Sequence, residues 1–362
     1  MLEKGKISAL QMGIIMYPVV VATADLLVPA ITTKYAKQDM WISPILASVT
    51  GFLVVYTVNQ LNKAYPQETI IQYSGRILGQ IPGKVLGFLF LLFLLLTNGL
   101  IIRQYGEFIV GSFLTKTPLT LIMGSMVLTC ALVVRGGLES LSRVAQMIVP
   151  VVVLLWALIF TLLIPDMEVK NMLPIMGKGM MPSLLGAITP MAWFTHFVLL
   201  SFFLPFLTDR EKGMKSGMIS VICVMMTLFI INIGTLFLFG GLTSMLAYPV
   251  MSAVRYVSIA DFLEHLESLV MAIWVASAFL KISAYYYALV LGTSQWLDIS
   301  DYRVIVFPLG LLLLVFSLWS LPNLQEVNYL LTYVVFNNLA YEMIIPLLLL
   351  LIHTIRKKMV SK

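Results

Sequence analysis

Charge is what this 362-residue sequence has least of: only 11% of its residues are charged, against roughly 25% in soluble domains. That scarcity, set beside 60% hydrophobic residues, excludes a soluble globular class and leaves an all-α polytopic membrane protein. Cysteine is nearly absent too. Cys130 and Cys223 each lie inside an apolar run with no Cys or His at ligand spacing, so both read as packing residues. Of three histidines only His196 falls within an interrupted apolar segment, and no metal site can be argued. There is no glycine-rich phosphate loop and no serine, histidine and acid set that converges. We therefore expect no cofactor and no enzyme. The net charge of +6 sits mostly in short loops, where orientation in the lipid bilayer accounts for it and nucleic acid need not be invoked.

What is present is a succession of apolar runs, each about 20 residues long and so able to cross a bilayer. They fall near 9-31, 41-62, 84-108, 118-135, 144-164, 183-207, 217-241, 268-294, 303-321 and 328-353. Ten passes put both termini on one side. With that side cytoplasmic, the inner loops and tails hold Lys4, Lys6, Lys63, Arg135, Arg143 and the Arg356-Lys357-Lys358 tail, while the outer side has few bases, such as Lys34, Lys37 and Lys170. This is the positive-inside bias. Read as a leader cleaved after Ala22-Thr23-Ala24, the first run would leave nine segments and spoil that asymmetry, so it is taken as a membrane helix.

The long connections 63-83 and 242-267 each follow the second helix of a set of five, on opposite faces. Because five is odd, the second set runs inverted. The expected architecture is a single transmembrane unit over 1-362, a LeuT-like five-plus-five inverted repeat of about 9-164 and 183-353. Breakers recur at matching places. Helix one carries Pro18, Ala22-Thr23-Ala24, Asp25 and Pro29, and helix six carries Pro190 and Pro205 around Thr195, His196 and Ser201. Proline removes a backbone donor, which lipid does not replace. Helices one and six are accordingly expected to be broken at mid-membrane, where half-helix ends suit the amine and carboxylate of a small zwitterion.

Around that break the candidate ligand-binding residues are Ala22, Thr23, Ala24 and Asp25 from helix one and Phe194, Thr195 and His196, beside Trp193, from helix six. Alanines at 22 and 24 unwind less readily than glycine. Helix three adds Thr97 and Asn98, which either line the pocket or bond a neighbouring helix, and an Arg103–Glu107 pair one turn apart near its outer end. Helix eight adds Lys281, a lysine that must be paired or wet at this depth. It either pairs with Asp25 or unwound carbonyls in place of a bound cation, or faces a water-filled vestibule. Glu342 in helix ten is either a proton site or a helix-linking hydrogen bond. The run Tyr285-Tyr286-Tyr287 reads as packing.

With these residues in hand, the chain resembles the B subunits of bacterial spore germinant receptors, the endospore germination permease family within the amino acid/polyamine/organocation transporter superfamily. The resemblance rests on Pro29 with Thr32-Thr33-Lys34 and Trp41, Thr117-Pro118, Gly136-Gly137-Leu138-Glu139 with Ser142-Arg143, and Asn171-Met172-Leu173-Pro174 with Gly177-Lys178-Gly179. It continues in Phe203-Leu204-Pro205 and Glu264-His265-Leu266-Glu267-Ser268. It implies a nutrient-sensing subunit in the spore inner membrane, with A and C receptor subunits as partners and a small-molecule germinant, typically an amino acid. An amino-acid/cation symporter is the alternative. The family's pocket would fall near Ala22 to Asp25, Thr97, His196 and Lys281.

Overall fold

The computed structural model describes Glu3, residues 5–256, 266–319 and 334–360. Its helices are α1 (Ala9–Ala36), α2 (Ser43–Ala64), α3 (Ile70–Leu78), α4 (Gln80–Ser112), α5 (Leu119–Gly136), α6 (Leu138–Leu163), α7 (Met181–Phe194), α8 (Leu200–Phe203), α9 (Gly213–Phe239), α10 (Pro249–Tyr256), α11 (Leu266–Trp296), α12 (Val306–Trp319) and α13 (Ile345–Val360). Among the described residues nine helical stretches are long and apolar enough to span a membrane, one of them the 56-residue stretch Ala9–Ala64. A short 3-10 turn, Lys37–Ile42, divides that stretch into α1 and α2, giving the ten expected passes. Both long connections contain a short amphipathic helix, α3 in one and α10 in the other. Residues 257–265 of the second connection, including the Glu264-His265 part of the family motif, lie outside the described residues, as do 328-333 at the start of helix ten.

The expectation of two broken helices holds for helix six and fails for helix one. α1 is a single helix of 28 residues, opened by a capping box in which Ser8 and Gln11 each bond the other's backbone. Pro18 and Pro29 each leave one carbonyl without its helical donor, but prolines alone do not unwind a turn. The residues between them include Ala22 and Ala24, and alanine is the strongest helix former. Thr32 and Thr33 also return their hydroxyls to the Val28 and Pro29 carbonyls, at 2.7 and 2.6 Å, stitching the helix beyond the second proline. Helix six does break. α7 tightens into a 3-10 stretch at Thr195–Leu199, makes one α turn at α8, and tightens again at Leu204–Phe206 around Pro205.

Burial places these two helices at the centre. The helix-six stretch Met181–Phe206 has 83% of its most apolar window buried, against 22% for Leu138–Asp166, whose remaining surface suits lipid. α1 packs on α7, α9, α11 and α6. The N-terminal segment closes one face of the bundle: Ile7 and Leu207 form an isolated parallel bridge, and the Ala9 N–H donates to Asp209 Oδ1 at 2.7 Å.

Glu3 finishes that closure. Its carboxylate is 4% exposed and accepts from the Tyr302 hydroxyl (2.9 Å), the Tyr287 hydroxyl (3.2 Å), the Leu138 N–H (3.2 Å) and the Gly5 N–H (2.7 Å). One side chain thus joins the N-terminus to α6, α11 and the entry to α12. Gly137, at φ +87°, makes room for it, since a β-carbon there would press on both Glu3 and the Tyr302 hydroxyl. That gives the Gly136-Gly137 motif a structural reason. Glu3→Ala leaves two tyrosine hydroxyls and a helix N-terminal N–H unpaired in a buried place, at a cost of roughly 2–4 kcal/mol. We expect a clearly lower thermal midpoint for the detergent-purified variant; an unchanged midpoint would show that the carboxylate does not hold this face together.

Candidate ligand site

A small internal cavity of about 30 Å³ lies where α1, α4, α7, the helix-six break, α11 and residues 334–338 converge. The α4 wall is a stripe of Thr97, Leu100, Ile101 and Gln104, the i, i+3, i+4, i+7 pattern of one helix face. Thr23, Ala192, Trp193, His196, Lys281 and Asn338 complete it. Four of the candidates from sequence, Thr23, Thr97, His196 and Lys281, therefore meet at one place. A second cavity of about 40 Å³ continues toward the face opposite the N-terminus, lined by Thr23, Gln104, Arg103, Glu107, Tyr248 and Trp274 among others. Thr23 and Gln104 belong to both and form the partition between them.

Lys281 is 1% exposed, and its ammonium donates to Thr23 Oγ1 at 2.7 Å. The same oxygen accepts from Trp193 Nε1 at 2.9 Å, so Thr23 ties α1 to both α7 and α11. The pairing of Lys281 with Asp25 expected from sequence does not form, and with helix one intact there are no unwound carbonyls to replace it. The helix itself separates the two groups: Asp25 is two residues beyond Thr23, roughly 200° round the axis, and so faces away from Lys281. Asp25 is buried and its Oδ1 has no hydrogen-bond partner among the described residues. An ammonium has three donors. Among the described residues Lys281 uses one, on Thr23, and its side chain lines the cavity.

A second network stands on the other side of His196. Glu342 is fully buried on a π-helical turn, Leu339–Ile344. Pro346 has no N–H to return to the Glu342 carbonyl four residues back, and the widened turn absorbs that loss. The carboxylate meets Thr195 Oγ1 at 2.7 Å and His196 Nδ1 at 2.8 Å on Oε2, and accepts from the Tyr285 hydroxyl at 2.9 Å on Oε1. Three elements, the helix-six break, helix ten and α11, are joined through one acid.

The remaining candidates play other parts. Asn98 donates to the Ile282 carbonyl at 3.3 Å, joining α4 to α11 rather than lining the cavity. Phe194, Ala22 and Ala24 are fully buried in packing, and Thr195 faces Glu342. Sequence reasoning passed over Gln104 and Asn338, which carry no charge to mark them. The tyrosine run is more than packing. Successive helix positions point roughly 100° apart, and the three hydroxyls reach Glu342, the Val306 carbonyl and Glu3 respectively. Arg103 and Glu107 do pair, at 2.7 Å, and Arg103, 8% exposed, lines the second cavity.

Comparison with known proteins agrees with this architecture. Of solved structures, MhsT in complex with L-phenylalanine superposes with a TM-score of 0.64 over 96% of this chain and 89% of its own, at 12% identity. A Na+-coupled sialic acid symporter in a substrate-bound outward-open state gives 0.67 over 93% and 78%, also at 12% identity. At that identity the likeness is one of fold, the LeuT-like fold expected from the inverted repeat. Two proteins of Bacillus subtilis (strain 168) are related in sequence along their length. Spore germination protein KB is 26% identical over 367 residues, covering 99% of this chain and 97% of its own, and spore germination protein YndE is 26% identical over 359 residues, covering 98% of each. Residues 6–325 match the family described as "Spore germination protein", and with a germination motif set, a transporter-like fold and end-to-end relatives in agreement, the chain belongs to that spore germination family of multi-pass membrane proteins.

Proposed function

We propose that this chain is the nutrient-sensing subunit of a spore germinant receptor, binding a small molecule such as an amino acid at mid-membrane in the cavity between α1, α4, α7 and α11. The observation that carries this is Lys281: a buried ammonium with one hydrogen bond among the described residues, lining a cavity it shares with Thr23, Thr97 and His196. Such a group is complementary to a carboxylate. On this reading the chain sits in the spore inner membrane beside A and C subunits with both termini cytoplasmic, a reading supported by its family membership and by its basic tails. The alternative reading is an amino-acid/cation symporter, supported by the same fold in MhsT in complex with L-phenylalanine and in a Na+-coupled sialic acid symporter. A sensor needs different affinity for two conformations and no completed transport cycle.

A cavity of about 30 Å³ has room for one or two waters, whereas small-molecule pockets run to roughly 300 Å³ and more. The described conformation is closed, and a ligand enters by movement of the cover formed by Arg103, Glu107 and Tyr248. Spores carrying a variant as their sole receptor report on the site. Lys281→Met removes a charge-assisted hydrogen bond of roughly 1.5–3 kcal/mol, so the germinant concentration for half-maximal response should rise by about 10- to 100-fold. An unchanged dose response with normal receptor abundance would displace the site.

Two further substitutions separate the pocket from its packing. Thr97→Leu fills the cavity from a half-buried wall and should alter the dose response while leaving receptor abundance intact. Ala22→Leu acts on a fully buried face away from the cavity and should lower abundance instead. Because Asp25 and Lys281 form no ion pair, Asp25→Asn should not restore function to Lys281→Met; rescue of one by the other would show that the two meet in a conformation other than this one.

A further inference from the structure

The hydrogen-bond arithmetic around Thr195 does not close while Glu342 is ionised. Thr195 Oγ1 lies 2.8 Å from the Ala192 carbonyl and 2.7 Å from Glu342 Oε2, and both face it as acceptors when Glu342 is ionised. A hydroxyl has one proton. If it goes to the carboxylate, the Ala192 carbonyl, at the end of α7 where the helix stops, loses it. If it goes to Ala192, the short contact with Oε2 is a hydrogen bond only when Glu342 carries a proton and donates it. His196 Nδ1, at 2.8 Å from the same Oε2, has the same choice, as donor to an ionised acid or acceptor from a neutral one. The Tyr285 hydroxyl serves Oε1 in either case.

We propose that Glu342 and His196 form an exchangeable proton-binding site whose occupancy moves the Thr195 hydroxyl between the Ala192 carbonyl and the carboxylate, and so sets the geometry of the helix-six break. The ligand of this site is the proton itself. The geometry is that of a built site: Glu342 is fully buried and His196 is 4% exposed, the acid sits on a π turn, and its three partners come from the break and from α11. Among the described residues few charged groups face it. α11 contributes Lys281, one turn before Tyr285, and α1 contributes Asp25. α2, packed against the π turn, has Lys63 as its charged residue, in its last turn. α4 carries Lys84 near one end and the mutually paired Arg103 and Glu107 toward the other.

The proton site touches the ligand cavity through His196, which lines it, and here the inference rests on the functional reading above. A carboxylate arriving beside Lys281 brings a second negative charge near Glu342, so its binding takes up a proton and strengthens as pH falls. The proton site itself is tested without ligand. In infrared difference titration of the full chain in lipid nanodiscs, between about pH 4 and pH 9, a protonated-carboxyl stretch should grow in as pH falls, vanish in Glu342→Gln and persist in Asp25→Asn. Should Glu342→Gln fail to fold, Thr195→Val, which removes only the hydroxyl, should displace the midpoint. Absence of a titrating band, its survival in Glu342→Gln, or an unmoved midpoint in Thr195→Val would overturn the site. Calorimetry with the twenty L-amino acids in two buffers of different ionisation enthalpy then reads the coupling. Net proton uptake supports it, and binding without uptake refutes it. If none of the amino acids binds, the ligand reading fails while the infrared result stands.

Discussion

A lysine ammonium held in the middle of a bundle by one threonine hydroxyl is the constraint on which the centre of this structure depends. Burying that charge is costly unless something accepts from it, and Thr23 is what accepts. The same oxygen takes the Trp193 indole N–H, so one atom fixes how helices one, six and eight meet. It can do so only if α1 presents Thr23 at a defined angle. An unwound turn at residues 22–24 would release the oxygen that holds Lys281. The intact helix one and the lysine on helix eight are therefore two aspects of one solution: the interior positive charge is covalent, and the backbone beside it stays helical.

Three of the buried acids among the described residues make the complementary point, because they are satisfied to very different degrees. Glu3 has four donors and behaves as a clamp, immobile because each of its partners is on a different element. Glu342 has three neighbours, two of which can reverse the direction of their hydrogen bonds. Asp25 has an oxygen with no partner among the described residues. A fully satisfied carboxylate rigidifies, whereas a network whose protons have alternative placements can occupy two states of similar energy. The clamp lies at the closed N-terminal face and the reversible network lies at the break in helix six, which is the distribution a bundle needs if one part is to move against another.

Much of this was legible in the residues. Ten apolar runs became ten passes with ends displaced by a few residues, because the bilayer sets helix length and hydropathy reports it directly. Thr23, Thr97, His196 and Lys281 were marked by polarity at mid-membrane depth and converge as expected. What was not legible depended on angle. Proline signals a missing donor but does not say whether the chain unwinds, and at α1 the alanines and the Thr32 and Thr33 hydroxyls decide for helix. Asp25 and Lys281 suggested an ion pair by charge alone; roughly half a turn of helical phase, between Thr23 and Asp25, separates them. The tyrosine run looked uniform, yet positions 285, 286 and 287 serve three sites. Pro346 was the available sign of the π turn, four residues after Glu342, where its missing N–H falls on that residue's own carbonyl.

The geometry also bears on what kind of machine this fold has become. A transporter of this architecture must open to each side in turn, so the contacts closing each face must be individually breakable. The Arg103–Glu107 pair with Tyr248 and Trp274 encloses a second small cavity above the first, a shallow cover whose parting opens a short path past Thr23 and Gln104. The N-terminal face is closed by more. A backbone bridge, an Asp209 cap on α1 and the four-way Glu3 carboxylate must all give way together. Closure that, among the described residues, is light on one side and heavy on the other fits the role proposed above, a bundle that would admit a ligand from one face and answer it internally, through His196 and the helix-six break, without passing it on. That is the asymmetry expected of a sensor built on a transporter fold, since a sensor shifts a population and need not complete a cycle.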